Sequence, residues 1–415
     1  MSVFSMISRV TIFALATTAL SFAAIADGAS KFLGNIITLD EVPEDFETYW
    51  NQVASEYGCV WREVEKERGV YDFSKCDVAY NWAKENHAHF TYHALVSGSQ
   101  KPEWLFNLNV DETKQAITDW LDAVKEHYPD LEMIIAVNEA VKNGNSYHSS
   151  FSSSKIVEAL GGDTGNYEFV VTAFKMIRER WPNAILIYND YNTILWNNKE
   201  AIDLLKKIKE QGAPVDAFGM QFHETIQQGT GVWCTSSATL KKALHEAYEQ
   251  TDLPIYITQY LVPTAKDSLQ KACYMEHIPI LMETEYVAGV TLWGHIYNEK
   301  WYPIGSYAAE CGGLINDGVE RPAMTWLKQY FEENFLDTLG QDNPTSIVQN
   351  IRHTPTSLQK YEAIDAFGNR LGVFTAYGLE AAVKSLRNSS AVKSSGIYFL
   401  RNRTTGKMQP VHVVK

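Results

Sequence analysis

The chain has little positive charge. Its 415 residues include 36 Lys and Arg against 50 Asp and Glu, which gives a formal net charge of −14 at pH 7. Nucleic acids and anionic membranes attract proteins through positive charge. We therefore expect neither to be the main partner. The composition, 45% hydrophobic and 12% aromatic, is typical of a globular enzyme or binding protein.

Long uncharged apolar runs are also scarce. One runs from Val10 to Phe22, directly after Arg9, and it is too short to span a bilayer comfortably. The small-x-small sequence AIA follows at residues 24–26, as signal peptidase requires. We predict a signal peptide over residues 1–26, a mature chain beginning near Asp27, no membrane span, and a secreted or cell-surface location.

Cysteine is sparse, and no CxxC pair or clustered His/Cys spacing indicates a structural metal. We expect neither a metal nor a cofactor. Outside the cytoplasm one or two disulfides are possible, and the odd number leaves at least one thiol unpaired. The five cysteines are Cys59, Cys76, Cys234, Cys273 and Cys311.

Eight short runs of β-branched and aromatic residues alternate with segments that have helical character. Runs that are apolar throughout suit strands buried on both faces, and helical spacers make the sheet parallel. Eight such units predict an α/β fold of the (β/α)8 TIM-barrel type. The runs are Gly34–Thr38, Gly58–Trp61, His89–Leu95, Met133–Glu139, Ala184–Asp190, Ala217–His223, Pro254–Tyr260 and Ala288–Gly294.

Six of these runs end on polar or aromatic side chains. The carboxyl ends of barrel strands meet at one face, where the active sites of this fold are built. One such residue alone could simply cap its strand, but six together favour a functional site. They are His93, Asn138 with Glu139, Asn189 with Asp190, Gln221 with His223, Gln259, and Trp293.

Between about Gly34 and Phe335 the motifs resemble glycoside hydrolase family 10, whose members are mostly retaining endo-β-1,4-xylanases on a (β/α)8 barrel. Each motif is weak alone, but their order and spacing are specific. They are WREVEKERG at residues 61–69 with YDF at 71–73, HALV at 93–96, SQ at 99–100, PEW at 102–104, VNEA at 137–140, NDYN at 189–192, GMQFH at 219–223, GVTLWG at 289–294, Trp301, and RPAMTWL at 321–327.

The resemblance implies a site for β-1,4-xylan or a related plant cell-wall polysaccharide in a protein that is a monomer. Glu139 would be the general acid/base, and Asn138 would bind the sugar 2-hydroxyl beside the cut. His223 would be hydrogen-bonded to the group on the seventh strand. The remaining substrate-binding residues implied are His93, Gln100, Asn189, Gln221, Trp293 and Trp301, with Trp104 either lining the glycone side or packing.

Gln259 stands where the family has its nucleophilic carboxylate. A retaining glycosidase needs two carboxyl groups about 5–5.5 Å apart, and a neutral amide is a poor nucleophile. An introduced Glu→Gln exchange is one explanation. Four neighbouring departures indicate more than that: Leu261 replaces an Asp, Tyr57 and Val60 replace an Asn and a Lys, and Ser97 replaces a Trp.

Two hypotheses follow for the function. In the first, the chain is a hydrolase of this family that uses another carboxylate, for which Glu224 and Glu299 are the candidates. In the second, it is a non-catalytic descendant that binds carbohydrate. Asp190 is expected to hold neighbouring side chains in place and not to touch substrate.

Beyond the barrel domain, predicted over residues 27–339, the composition changes. Residues 340–359 are rich in Asn, Asp, Pro, Thr and Ser and predict a linker. Residues 360–415 predict a small β-rich module ending in a hairpin. This module loosely resembles the C-terminal sorting or anchoring domains of secreted bacterial polysaccharide-degrading enzymes. A sugar-binding module or a solvated tail is the alternative.

Overall fold

The computed structural model describes residues 24–27, 29–38, 40–144, 146–228, 231–297 and 311–335, together with four strands between residues 359 and 413.

Eight parallel strands form a closed barrel, as predicted. Each strand pairs with its neighbours in chain order, and β8 pairs with β1 to complete the circle. The barrel strands are β1 Phe32–Ile37, β2 Gln52–Ser55, β3 His89–Tyr92, β4 Met133–Asn138, β5 Ile185–Asp190, β6 Ala217–Met220, β7 Ile255–Tyr260 and β8 Val287–Leu292. A two-residue strand, Val96–Ser97, continues β3 alongside β4.

The prediction for the second strand was wrong. Gln52–Ser55 forms β2, whereas the predicted run Gly58–Trp61 lies in the turn that follows and at the start of a short helix. The Gly58 N–H donates to Ser55 Oγ at 2.9 Å, which closes this turn. The run is apolar because Cys59 and Trp61 are buried in the large apolar cluster, and not because it belongs to the sheet.

Among the described residues, seven helices of 12 to 18 residues surround the barrel, one after each strand from β2 to β8. The helix after β3 begins with a capping box, in which Asn109 and Glu112 each accept the other's backbone N–H. Only a four-residue helix, Phe46–Tyr49, follows β1. The long helices are α1 Ser74–Glu85, α2 Val110–His127, α3 Glu168–Arg180, α4 Asn198–Glu210, α5 Ser237–Thr251, α6 Asp267–Glu283 and α7 Pro322–Phe335.

Two apolar clusters form most of the core of the barrel domain. A large cluster packs the helices onto the strands, and a smaller one, which includes Phe32, Met133, Ile187 and Tyr256, draws on six of the eight barrel strands. A Cβ atom on Gly289 would lie 2.3 Å from the Phe32 ring, so glycine is required there. Apolar packing of the barrel interior leaves the polar strand ends for a site.

Four further strands form an antiparallel sheet in the order β10-β9-β11-β12. They are β9 Gln359–Asp365, β10 Arg370–Ala376, β11 Gly396–Asn402 and β12 Met408–Val413. The predicted terminal hairpin is confirmed as the β11–β12 pair. The predicted linker lies outside the described residues, apart from Gln359, which begins β9.

Two disulfides join Cys59 to Cys76 and Cys234 to Cys273, and Cys311 is a buried free thiol. The first links the turn after β2 to α1, and the second links the loop after β6 to α6. In the described part of the chain, no helix combines the length and the apolar composition needed to cross a membrane.

The disulfides give a testable expectation. A thiol-reactive reagent should label one cysteine per chain in denatured but unreduced protein, and five cysteines per chain after reduction. Replacing Cys59 and Cys76 by Ser should lower the free energy of unfolding by about 3 kcal/mol, because the unfolded chain regains loop entropy. Urea unfolding measures this change, with Cys311→Ser as the control that breaks no disulfide. Five reactive thiols before reduction would contradict the pairing.

Candidate active site

A cavity opens at the carboxyl ends of the barrel strands and is lined by polar and aromatic side chains. It contains eight of the ten site residues predicted from the sequence. The lining consists of Glu56, Tyr57, His93, Gln100, Asn138, Glu139, Tyr191, Gln221, His223, Gln259 and Trp293.

Glu139 is fixed from both its backbone and its side chain. It follows β4 with a left-handed backbone (φ 63°), a conformation that is uncommon for residues other than glycine. Its N–H donates to the Asn189 carbonyl at 2.8 Å. Its Oε1 accepts from Gln221 Nε2 at 2.8 Å. These bonds hold the carboxyl group at one place in the cavity.

The pKa of Glu139 is raised above its usual value. Burial is the main cause, and the negative charge of Asp190 adds to it, while the hydrogen bond from Gln221 acts in the opposite direction. A raised pKa keeps the carboxyl protonated to higher pH. A general acid must carry a proton to donate, so the environment suits that role.

Asp190 organises the loop that follows Glu139. Its buried carboxylate accepts hydrogen bonds from the Val141 N–H at 3.0 Å, the Tyr188 hydroxyl at 2.5 Å and His148 Nδ1 at 2.6 Å. It does not line the cavity. The predicted supporting role of Asp190 agrees with this geometry.

Asn138 is held by a chain of buried hydrogen bonds. Thr258 Oγ1 donates to Asn189 Oδ1 at 2.6 Å, and Asn189 Nδ2 donates to Asn138 Oδ1 at 2.8 Å. A Cβ on Gly219 would lie 2.5 Å from Asn189 Oδ1, so glycine in β6 makes room for this side chain. Asn189, predicted to bind substrate, is therefore fully buried behind Asn138 and outside the cavity lining.

Two histidines and a tryptophan of the cavity lining form a cluster of rings. The rings of His93 and Trp293 meet edge to face, with centroids 5.3 Å apart. Burial lowers the pKa of His93 to about 4, and burial together with the nearby His93 lowers the pKa of His223 to about 4. Both rings are therefore neutral near pH 7. The expected hydrogen bond between His223 and Gln259 stays a prediction.

Gln259 occupies the end of β7 and points into the cavity. Its Oε1 atom is buried and has no hydrogen-bond partner among the residues that the structure describes. Two residues on, Leu261 belongs to a buried apolar cluster with Ile36, Ala54 and Trp293. Position 261 therefore packs in this cluster and supplies no charged or polar side chain near Gln259.

Of the two alternative carboxylates, the structure describes Glu224 alone. Glu224 is buried, and its Oε1 accepts from the Ile194 N–H at 2.8 Å. It is absent from the cavity lining. Glu299 lies outside the described residues, as does Trp301, which was predicted to bind substrate.

The other three residues that differ from the family pattern lie in different parts of the structure. Tyr57 lines the cavity. Val60 is buried at the start of a short helix, and Ser97 is buried in the strand beside Asn138. Trp104 is a packing residue, because its Nε1 donates to the Glu65 carbonyl at 3.0 Å and it is not part of the lining.

Sequence reasoning missed Glu56 and Tyr191 as cavity residues. Glu56 directly follows β2, so the misplaced second strand hid it. Correct assignment of Gln52–Ser55 as a strand would have pointed to Glu56 as its polar end. Tyr191 directly follows Asp190 and lines the cavity. No group of three or more metal-ligating side chains occurs within the described ranges.

The buried histidines make stability depend on pH. Each has a folded-state pKa of about 4, below the ordinary value of about 6.5. The unfolded chain therefore binds extra protons in this window, and stability is lost as the pH falls from about 6.5 to about 4. The loss should approach about 3 kcal/mol per histidine.

Urea unfolding across this pH range should show a flatter profile for His93→Gln/His223→Gln than for the unchanged protein. His245→Gln, at an exposed position on α5, is the control and should leave the slope as it was. An unchanged slope in the double variant would contradict neutral burial of the two rings.

Comparisons with known proteins identify the family of this chain. The model for glycosyl hydrolase family 10 matches residues 16–329. The endo-1,4-beta-xylanase B of Cellvibrio japonicus is 36% identical over 300 residues, which are 72% of this chain and 45% of that protein. An endo-1,4-beta-xylanase 1 of Gibberella zeae is 27% identical, over 71% of this chain and 85% of the relative. This chain thus spans under half of the Cellvibrio protein.

Solved structures share the fold. The native xylanase 10B of Thermotoga maritima superposes with a TM-score of 0.62 at 21% identity, covering 77% of this chain and all of that one. The xylanase 10B of Thermotoga petrophila, in complex with xylobiose, gives 0.61 at 21% identity, over 76% and 98% of the two chains. The chain belongs to glycosyl hydrolase family 10.

Proposed function

We propose that this protein binds β-1,4-xylan, or a closely related plant cell-wall glycan, and that it has the general acid of a retaining hydrolase but not the nucleophile. One observation carries the proposal. A single cavity holds Glu139, fixed by Gln221 at 2.8 Å, together with the amide Gln259.

Glu139 would act as the general acid. Its raised pKa favours the protonated carboxyl, which donates its proton to the glycosidic oxygen as the bond breaks. Asn138 and Gln221 present amide groups that can bind sugar hydroxyls. Trp293 offers an aromatic face, and an indole stacks well against the apolar face of a pyranose ring.

The site lacks the nucleophile that the first step of the reaction needs. In a retaining mechanism the second carboxylate attacks the anomeric carbon and forms a covalent glycosyl-enzyme. Gln259 carries no charge, so it neither attacks efficiently nor stabilises the positive charge that develops on the sugar. The apolar cluster around Leu261 supplies no anion. The other carboxyl group in the cavity lining is Glu56, which follows β2 and not β7, so it does not occupy the nucleophile position. We expect binding with strongly reduced hydrolysis.

The choice of xylan is supported by the relatives. The Cellvibrio and Gibberella proteins are named endo-1,4-beta-xylanases, and the Thermotoga petrophila structure contains xylobiose. A second candidate is a purely carbohydrate-binding protein. Tyr57 in the cavity and Leu261 beside Gln259 favour it, because both change the site beyond the loss of one carboxylate.

We also propose export of the chain, with residues 1–26 as signal peptide and residues 360–415 as a sorting or anchoring module. The support is the sequence pattern at the N-terminus and the antiparallel sheet at the C-terminus. On this proposal the polysaccharide is met outside the cytoplasm.

Restoring the carboxylate should restore cleavage. We expect Gln259→Glu to hydrolyse soluble xylan at least about a thousandfold faster than the unchanged chain, because a missing nucleophile commonly lowers rates by such factors. Release of reducing sugar measures this rate, and binding to the same polymer is followed in parallel.

Two variants control the experiment. Gln259→Asn keeps the amide and should stay inactive, and Glu139→Gln combined with Gln259→Glu should lose the restored activity. If Gln259→Glu is as slow as the unchanged chain while both bind xylan, the binding-only candidate is correct. If neither binds xylan, the proposed substrate class is wrong.

A further inference from the structure

Two tryptophans outside the cavity are exposed to solvent. Trp196, in the loop after β5, is 68% exposed, and Trp233, in the loop after β6, is 45% exposed. They are the most exposed tryptophans in the described part of the chain. Tryptophan is highly buried on average, so this degree of exposure at the active-site end of the barrel points to a ligand.

One buried residue anchors both loops. Glu224 Oε1 accepts from the Ile194 N–H at 2.8 Å, two residues before Trp196. The Glu224 carbonyl accepts from the Thr235 hydroxyl, two residues after Trp233. The strands that carry the loops, β5 and β6, are hydrogen-bonded neighbours. Both tryptophan-bearing loops are therefore hydrogen-bonded to the same residue, Glu224.

Local bonds further stiffen each loop. The Trp196 N–H donates to the Asn192 carbonyl at 3.1 Å, and Asn198 Nδ2 donates to the Thr193 carbonyl at 2.7 Å. Trp233 directly precedes Cys234, which is disulfide-bonded to α6. Loops that are ordered before binding lose less conformational entropy on binding.

The loop of Trp196 also begins at the cavity. Tyr191 lines the cavity and precedes Trp196 by five residues on the same loop. A glycan chain that leaves the cavity past Tyr191 would run towards this loop. Each pyranose ring presents a face of C–H groups, which packs favourably on the electron-rich face of an indole.

We propose that Trp196 and Trp233 form a rim platform that binds the part of a β-1,4-glycan chain extending out of the cavity. The platform makes the protein prefer polymer over short oligosaccharide. This inference rests on the proposed function, since the cavity must hold the same chain. Glu224, which was a candidate catalytic carboxylate, is on this account a positioning residue for the platform.

The test compares a long ligand with a short one, using the full chain. Binding to insoluble xylan is measured by depletion, and binding of xylotriose by calorimetry. We expect Trp196→Ala and Trp233→Ala each to weaken polymer binding about three- to tenfold, with xylotriose affinity unchanged. Trp196→Tyr keeps a ring and should retain most of the affinity. Met275→Ala, at an exposed site on α6, is the matched control.

Several outcomes would overturn the platform. One is a double Trp196→Ala/Trp233→Ala variant that binds polymer as the unchanged chain does. Another is an equal loss of xylotriose binding, which would assign the tryptophans to the cavity or the fold. A third is a tryptophan variant that sediments with a changed oligomeric state but still binds polymer. This result would assign the two tryptophans to a protein interface. If the unchanged chain binds neither ligand, the proposed function fails and this inference fails with it.

Discussion

Closure of the parallel barrel is the constraint on which the rest of the structure depends. Pairing of β8 with β1 brings eight strand ends into one ring, so residues that are far apart in sequence share a cavity. Glu139 and Gln221, separated by 82 positions, are hydrogen-bonded for this reason. Apolar packing inside the barrel and close contacts at Gly219 and Gly289 keep the ring in register.

Within that ring, burial shifts the pKa values of acidic and basic side chains in opposite directions. It raises the pKa of Glu139 and lowers the pKa of His93 and His223. All three changes favour the neutral form, so the cavity is an environment that disfavours charge. Gln259 adds no ionisable group to this environment. Because Gln259 is an uncharged amide, the cavity has no nucleophile at the end of β7. This is why we expect little hydrolysis.

Much of this organisation could be predicted from sequence, because barrel strands buried on both faces are apolar throughout and end on polar groups. The second strand was misplaced because Gly58–Trp61 is also apolar, although it is a buried turn closed by Ser55. That error concealed Glu56. The supporting position of Asn189 could not be predicted, since it depends on the space that Gly219 leaves in the neighbouring strand. Anchoring of two loops by Glu224 likewise needs three-dimensional contacts.

The most direct measurement of the central claim is a crystal structure of the unchanged protein soaked with a xylo-oligosaccharide long enough to cross the cavity. The account predicts an uncleaved ligand, with one glycosidic oxygen at hydrogen-bond distance, about 2.6–3.2 Å, from the Glu139 carboxyl and the adjoining anomeric carbon facing Gln259. Cleaved products in the cavity would contradict the loss of the nucleophile. An oligosaccharide bound elsewhere, with the cavity empty, would contradict the site itself.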